Sequence, residues 1–250
     1  KDKSDLIENE IIINIKSQAL YKNRLIMLDI IAQNEWRRPI YFTGGAFGDE
    51  DYIWMKDYLQ LDGMCYKLIP IKTEVDESNP YEMGIVDSQK MLSIVKNWEW
   101  GSKDSNEIYL DVESRKNSIT YRGNISRLID QLILENKIDE AENILDICME
   151  KMPVNEYGYY TLLEPFLNAY YLINKPKKAR KIFDDIAVKY QESLFYFSTV
   201  SNSNKNRYAE EIYIDIERYR SLVDVILNHE EGEYLETRMK EFNDYLDLFL

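Results

Sequence analysis

The segment ISRLIDQLILENKIDEAENILDICMEKMP, residues 125–153, decides how the C-terminal half of this chain is read. Leu128 and Leu132 fall on one face of a first helix and Asn136 stands at a turn. Ala141, Leu145 and Cys148 follow at the spacing of a second helix that ends before Pro153. A second segment, EPFLNAYYLINKPKKARKIF at 164–183, repeats the order with Phe166, Tyr170, Asn174, Ala179 and Phe183. Small residues at Ala141 and Ala179 let paired helices approach closely, which is the pattern of tetratricopeptide hairpins. The two alanines stand 38 residues apart, a little more than the repeat's usual spacing, and the loop 153–159 is expected to hold the excess. Residues 207–228 and 233–250 read as a last helical pair joined through Gly232, and Ser198 to Asn206 as a mobile polar loop.

Before residue 120 the signals alternate between strand and helix. EIIINI at 10–15 is β-branched and reads as a strand, and Ser17 to Glu35 carries Leu20, Leu25, Leu28, Ile31 and Ala32 at helical spacing. Pro39 ends that helix and opens a short strand, 39–43. The spacing then predicts a helix over 52–61 capped by Gly63, a strand over 64–71 and a helix over 87–98, with 101–106 as a polar linker. Strand, helix and strand in alternation predict right-handed crossovers. The expected architecture is therefore α/β, a small parallel sheet with flanking helices over 1–120, followed by an all-α tetratricopeptide-like domain over 121–250. Trp36, Pro39 and Tyr41 stand at a helix-to-strand junction and are expected to be structural, with the indole as an anchor.

Composition bounds the function. In 250 residues, 45 carboxylates face 31 Lys and Arg, leaving a net charge of −14 that repels nucleic acid and anionic lipid. One histidine, His229, rules out a His-rich metal site. Cys65 and Cys148 lack metal-knuckle spacing and read as buried, unreactive thiols. No apolar run reaches the about 20 residues of a membrane span. The opening Lys1-Asp2-Lys3-Ser4-Asp5 has neither initiator Met nor signal region, so the chain is expected to begin inside a longer protein or after processing.

Four groups of residues carry candidate chemistry. Gly44-Gly45-x-x-Gly48 before a helix invites a phosphate cradle, but Asp49-Glu50-Asp51 places carboxylates where the phosphate would sit. Asp49-x-Asp51 also spells a short acidic motif of the kind that holds a divalent metal. Arg37 and Arg38, beside Trp36, have the guanidinium fork that grips anions, although in so acidic a chain arginines also pair internally. Among 20 tyrosines, those around Tyr160 and Tyr170 are candidates for an aromatic binding groove, with core packing as their ordinary fate.

The string Asn34-x-Trp36-x-Arg38-Pro39-Ile40-Tyr41-Phe42, preceded by Leu28-Asp29-Ile30-Ile31-Ala32, is long and specific. With Asp57-Tyr58-Leu59-x-x-Asp62-Gly63-x-x-Tyr66-x-Leu68-x-Pro70, Gly84-Ile85-Val86-Asp87, Trp100-Gly101, Tyr109-x-Asp111 and Arg122, it resembles the C-terminal region of a large family of multi-spanning membrane proteins of Bacteroidetes-type bacteria. That family is grouped with protein O-mannosyltransferase-like enzymes of the GT-C type. Asp62, Lys67 and Ile69 stand where the family usually has Glu, Arg and Val.

The resemblance implies a membrane-embedded N-terminal portion that carries the catalysis, with this chain as a soluble module on the periplasmic face of the inner membrane. The expected function is then non-catalytic, recruiting or orienting a polypeptide or glycan acceptor for the membrane part. The partners are that N-terminal domain and the acceptor, not nucleic acid, and no cofactor, metal or catalytic residue is assigned. Candidate binding residues are Arg37, Arg38, Asp49, Asp51, Tyr160 and Tyr170. Two other readings stand beside this one: an independent α/β enzyme using Arg38, Asp49 and Asp51 for a metal or sugar nucleotide, and a purely structural assembly module.

Overall fold

In a computed structural model of the chain, residues 4–15, 19–43, 54–73, 83–100, 109–158 and 160–249 are described. The chain divides into two compact units, Lys1–Gly101 and Ser102–Leu250.

Among its described residues the first unit has three short strands, β1 (Tyr41–Phe42), β2 (Leu59–Asp62) and β3 (Cys65–Leu68), in the order β1-β3-β2. Every pair is antiparallel: Leu59 faces Leu68, Asp62 faces Cys65, and Tyr41 faces Lys67. The expected parallel sheet is thus corrected, and the reason lies at 59–62. That stretch reads as the end of a helix, yet it forms β2 and turns straight into β3 through Gly63-Met64. A two-residue loop joins antiparallel strands only. Gly63 has φ +67 at the first loop position, the glycine signature of a type II′ hairpin rather than of a helix cap.

Leu59 and Leu61 are fully buried, and at the outer edge of β2 Gln60 forms an isolated parallel bridge with Ile85. Ile85 N donates to Leu59 O and Leu61 N donates to Ile85 O, both at 2.9 Å. Gly84 makes this approach feasible: at φ +75, a Cβ there would lie 2.7 Å from Leu59 O. Helix α1 spans Lys22–Gln33 and α2 spans Ser88–Lys96, the latter capped by Asp87, whose Oδ1 accepts from Lys90 N at 3.1 Å. Met91, Leu92 and Val95 of α2 are buried, and the helix packs on β2. In contrast, α1 buries no residue, so its apolar stripe does not face a core here. The strand expected at 10–15 is not formed; instead Ile7 bridges antiparallel to Ile71, and Glu8 N donates to Pro70 O at 2.8 Å.

The second unit is helical among its described residues. Its helices are α3 (Val112–Leu134), α4 (Ile138–Lys151), α5 (Val154–Tyr157), α6 (Glu164–Leu172), α7 (Pro176–Thr199), α8 (Asn202–Arg207), α9 (Ala209–His229) and α10 (Glu233–Leu246). Position 120 falls inside α3. Helices α3 and α4, α6 and α7, and α9 and α10 pack as consecutive pairs, with α6 also against α3 and α9 against α7. The segment read as a mobile loop at 198–206 instead holds α8, because Ser201 Oγ accepts from Asn204 N at 3.4 Å and caps a new helix.

The first two pairs share one turn. Lys137 N donates to Leu132 O and Asn136 N to Ile133 O; 38 residues on, Lys175 N donates to Tyr170 O and Asn174 N to Tyr171 O. These are paired Schellman motifs, with Asn136 at φ 57 and Asn174 at φ 60 in the left-handed position that asparagine tolerates. Ala141, Leu145, Cys148, Ala179 and Phe183 are buried in the seams, as the sequence pattern requires. Where the first pair ends, the fully buried Arg122 of α3 donates from Nη2 to Met152 O at 2.8 Å and from Nη1 to Gly158 O at 2.6 Å. That guanidinium ties α3 to the connection after α4, and its burial lowers its pKa.

Candidate functional site

Among the described residues, each unit has an open cavity with polar residues converging on it. In the helical unit a groove of about 690 Å³ runs between α4 and α7. Met149, Ile182 and Val188 give it apolar surface, joined by Pro153 and Val154, while Asp146, Glu150, Asp185, Lys178, Lys181 and Lys189 supply charge of both signs. The helical repeat explains this placement, since residues three and four apart on α4 and α7 face the same side.

One end of the groove is an ordered charge network. Lys178 Nζ lies 2.6 Å from Asp146 Oδ2 and 2.8 Å from Glu142 Oε1, and Lys175 Nζ lies 2.6 Å from Glu142 Oε2. Tyr170 OH donates to Asp146 Oδ1 at 2.7 Å. Hydrogen bonds from Lys175 and Lys178 hold the Glu142 carboxyl below its usual range, and those from Lys178 to Asp146 and Glu142 raise the lysine. Burial, then the bond to Asp146, pushes the Tyr170 phenol upward. Tyr170 is therefore a wall and a hydrogen-bond donor within the protein, not an exposed stacking platform. Tyr160 is half-buried, its ring edge-on to Tyr190 at 5.0 Å, so it too is engaged internally.

In the first unit a pocket of about 600 Å³ is lined by Ile7, Glu8, Trp36, Arg38, Pro39, Lys67, Leu68, Ile69 and Pro70. The Ile7–Ile71 bridge brings Glu8 to Pro70, and the β1–β3 pairing brings Lys67 beside the segment that follows α1. Asn34 Nδ2 donates to Arg38 O at 2.8 Å, closing a turn in which Glu35 and Trp36 take φ 44 and φ 57. The expected Trp36 anchor is corrected here: the backbone is left-handed at 35 and 36, and Trp36 is 52% exposed rather than buried.

Of the two candidate arginines, Arg37 is paired with Glu35, and Arg38 lines the pocket with no ion pair among the described residues. Asp49 and Asp51, together with the Gly44–Gly48 loop, lie outside the described residues. Reading the sequence missed Glu8 and Lys67 of the pocket, and Glu142, Asp146 and Lys178 of the groove. The i, i+4 carboxylates Glu142 and Asp146 on one helix face were the available signal for the second set.

Among the described residues no group of three or more His, Cys, Asp or Glu is arranged to hold a metal, and no helix is long and apolar enough to cross a membrane. Both cysteines are free, and burial pushes the Cys148 thiol up to about 12. His229 stacks on Tyr171 at 4.8 Å, with Nε2 3.0 Å from Asn168 Oδ1.

Residues 1–90 match a family model described as TMEM260-associated domain 2. The chain is thus similar, over the part that holds the Trp36–Arg38 pocket, to a domain associated with a membrane protein. The helical unit lies beyond the matched residues. No curated protein and no solved structure matches the chain.

Proposed function

We propose that the chain is a non-catalytic module of a membrane glycosyltransferase-like protein, and that its helical unit recruits or orients a polypeptide or glycan acceptor. The observation that carries this reading is the groove between α4 and α7, whose apolar residues are flanked by carboxylates and lysines. An extended polypeptide, with side chains of alternating direction and both charge signs, complements such a surface. The similarity of residues 1–90 to a TMEM260-associated domain supports attachment to a membrane protein. The Asn34-to-Phe42 string supports the finer placement with GT-C, O-mannosyltransferase-like proteins of Bacteroidetes-type bacteria, on the periplasmic face. The matched turns at Asn136 and Asn174 support a tetratricopeptide-like reading of the two hairpins.

The test is kinetic, in the full-length membrane protein with a polypeptide acceptor. Val188→Glu and Lys181→Glu, both at exposed groove positions, are expected to raise the acceptor KM several-fold while kcat holds. An unchanged KM in both variants removes acceptor capture by this groove.

One observation favours a structural assembly role beside it. Leu25 and Ile26 of α1 are each 51% exposed and Ile30 is 58% exposed, an apolar ridge at helical spacing. If that ridge braces the membrane portion, Ile26→Lys leaves the isolated chain folded and loosens its association with that portion in detergent.

A further inference from the structure

The pocket beside Trp36 carries an inference that does not rest on acceptor capture by the helical groove. Its backbone is strained where it meets the pocket. Glu35 and Trp36 are consecutive non-glycine residues with positive φ, and such residues persist where the surroundings over-determine them. Here the Asn34–Arg38 hydrogen bond closes the turn, and the Trp36 side chain within it is 52% exposed rather than part of a core.

The charges are as unusual as the indole. Carboxylates outnumber cations 45 to 31 in this chain, and the neighbouring Arg37 is paired with Glu35. Arg38 and Lys67 nonetheless line the same pocket with no ion pair among the described residues. Glu8, which lines the same pocket, is likewise without one among those residues. Two cations and one carboxylate leave a single positive charge to balance. A phosphate monoester, at about −2, overshoots that balance beside Glu8. A carboxylate ligand meets it.

We propose that this pocket binds an acidic saccharide, a pyranose bearing a carboxylate. The apolar C–H face of the ring lies on the Trp36 indole, which offers apolar surface with a polar edge. The carboxylate accepts from the Arg38 fork and from Lys67, the charge-assisted geometry in which guanidinium excels. Ring hydroxyls donate to the Glu8 carboxylate, which accepts only. An acidic peptide supplies the charge but neither the flat face nor the hydroxyls.

The experiment titrates the 250-residue chain with trigalacturonate, of which one ring with its single carboxylate enters the pocket and the other two stay in solvent, at fixed ionic strength, following tryptophan fluorescence. Maltotriose, a Glu-Glu-Glu peptide and inorganic phosphate serve as comparison ligands. The expected result is saturable binding of trigalacturonate, with each comparison ligand at least about tenfold weaker. Arg38→Gln and Lys67→Gln each lower trigalacturonate affinity by about tenfold, the loss of a charge-assisted hydrogen bond. Trp36→Ala abolishes both the signal and, by calorimetry, most of the binding. Circular dichroism checks that each variant is folded, and since the three substitutions are separate, one that fails to fold leaves two to decide. The proposal is overturned if trigalacturonate does not bind, if maltotriose, the glutamate peptide or phosphate binds equally well, or if the folded variants retain full affinity.

Discussion

Arg180 grips Glu230 with both arms of its fork, Nε to Oε1 at 2.8 Å and Nη2 to Oε2 at 2.6 Å, across 50 residues of sequence. Tyr171 OH donates to the same Oε1 at 2.9 Å, so the carboxylate at the end of α9 is tied to both α6 and α7. The partners differ in burial: the Glu230 side chain is 6% exposed and that of Arg180 43%. Losing one partner is therefore not equivalent to losing the other. Arg180→Ala strands a buried carboxylate and is expected to cost about 2–4 kcal/mol, whereas Glu230→Gln, which leaves a guanidinium free to hydrate, costs about 1–2 kcal/mol. Urea unfolding of the two variants gives the comparison, and equal losses contradict it.

The same pair sets a pH dependence. The hydrogen bonds from Arg180, ahead of the opposing effect of burial, hold the Glu230 carboxyl below its ordinary range. A lowered carboxyl stabilises the fold above its unfolded-state pKa and loses that contribution as pH falls through the folded-state value. The stability gap between wild type and Glu230→Gln is thus expected to be constant near neutrality and to shrink below about pH 4.5. A gap that widens in acid refutes the assignment.

Asn136 and Asn174 occupy equivalent left-handed turn positions. Substitution by alanine is expected to cost about 1 kcal/mol at each site, and by glycine to be near neutral, with the two sites matching. Thermal unfolding of the four variants measures this, and unequal costs break the equivalence of the hairpins.

Arg122 satisfies two backbone carbonyls from a fully buried position. Arg122→Leu is expected to destabilise the helical unit by about 3–5 kcal/mol through carbonyls left without donors. Arg122→Lys recovers only part of this, because an ammonium lacks the fork that reaches both oxygens. Full rescue by lysine in chemical denaturation is the contrary result.

Trp36 reverses the ordinary expectation for a tryptophan. Because its ring is more than half exposed, Trp36→Ala should change stability by less than about 1 kcal/mol, in the range of surface substitutions. A loss of about 3–5 kcal/mol, the mark of a buried aromatic, contradicts the exposure described.

The helical hairpins were legible because their information is local. Leu128, Leu132, Ala141 and Leu145 are spaced at helical intervals, and Asn136 and Asn174 sit where a left-handed residue ends a helix. The sheet was not, because its information is distant. Lys56-Asp57-Tyr58-Leu59-Gln60-Leu61-Asp62 suits a helix as well as a strand, and what decides is pairing of Leu59 with Leu68 and with Ile85. Asp62-Gly63 signals either a cap or a hairpin, and the partner strand chooses. The site divides likewise. Arg38 was found from its own neighbours, while Glu8 and Lys67 join it only through the Ile7–Ile71 bridge and the β1–β3 register. Nor does spacing reveal that Asn34 reaches Arg38 O, or that Trp36 inside that turn is exposed.

The two thiols give the chain a built-in clock. Cys148 is sealed in the seam of the first hairpin with its ionisation suppressed to about 12, while Cys65 at the sheet is half-buried. A thiol of that kind reacts with alkylating reagents only when its surroundings open, since the thiolate is the nucleophile. Alkylation at Cys148 therefore reports opening of the hairpin around it, in a native sequence that needs no engineered reporter.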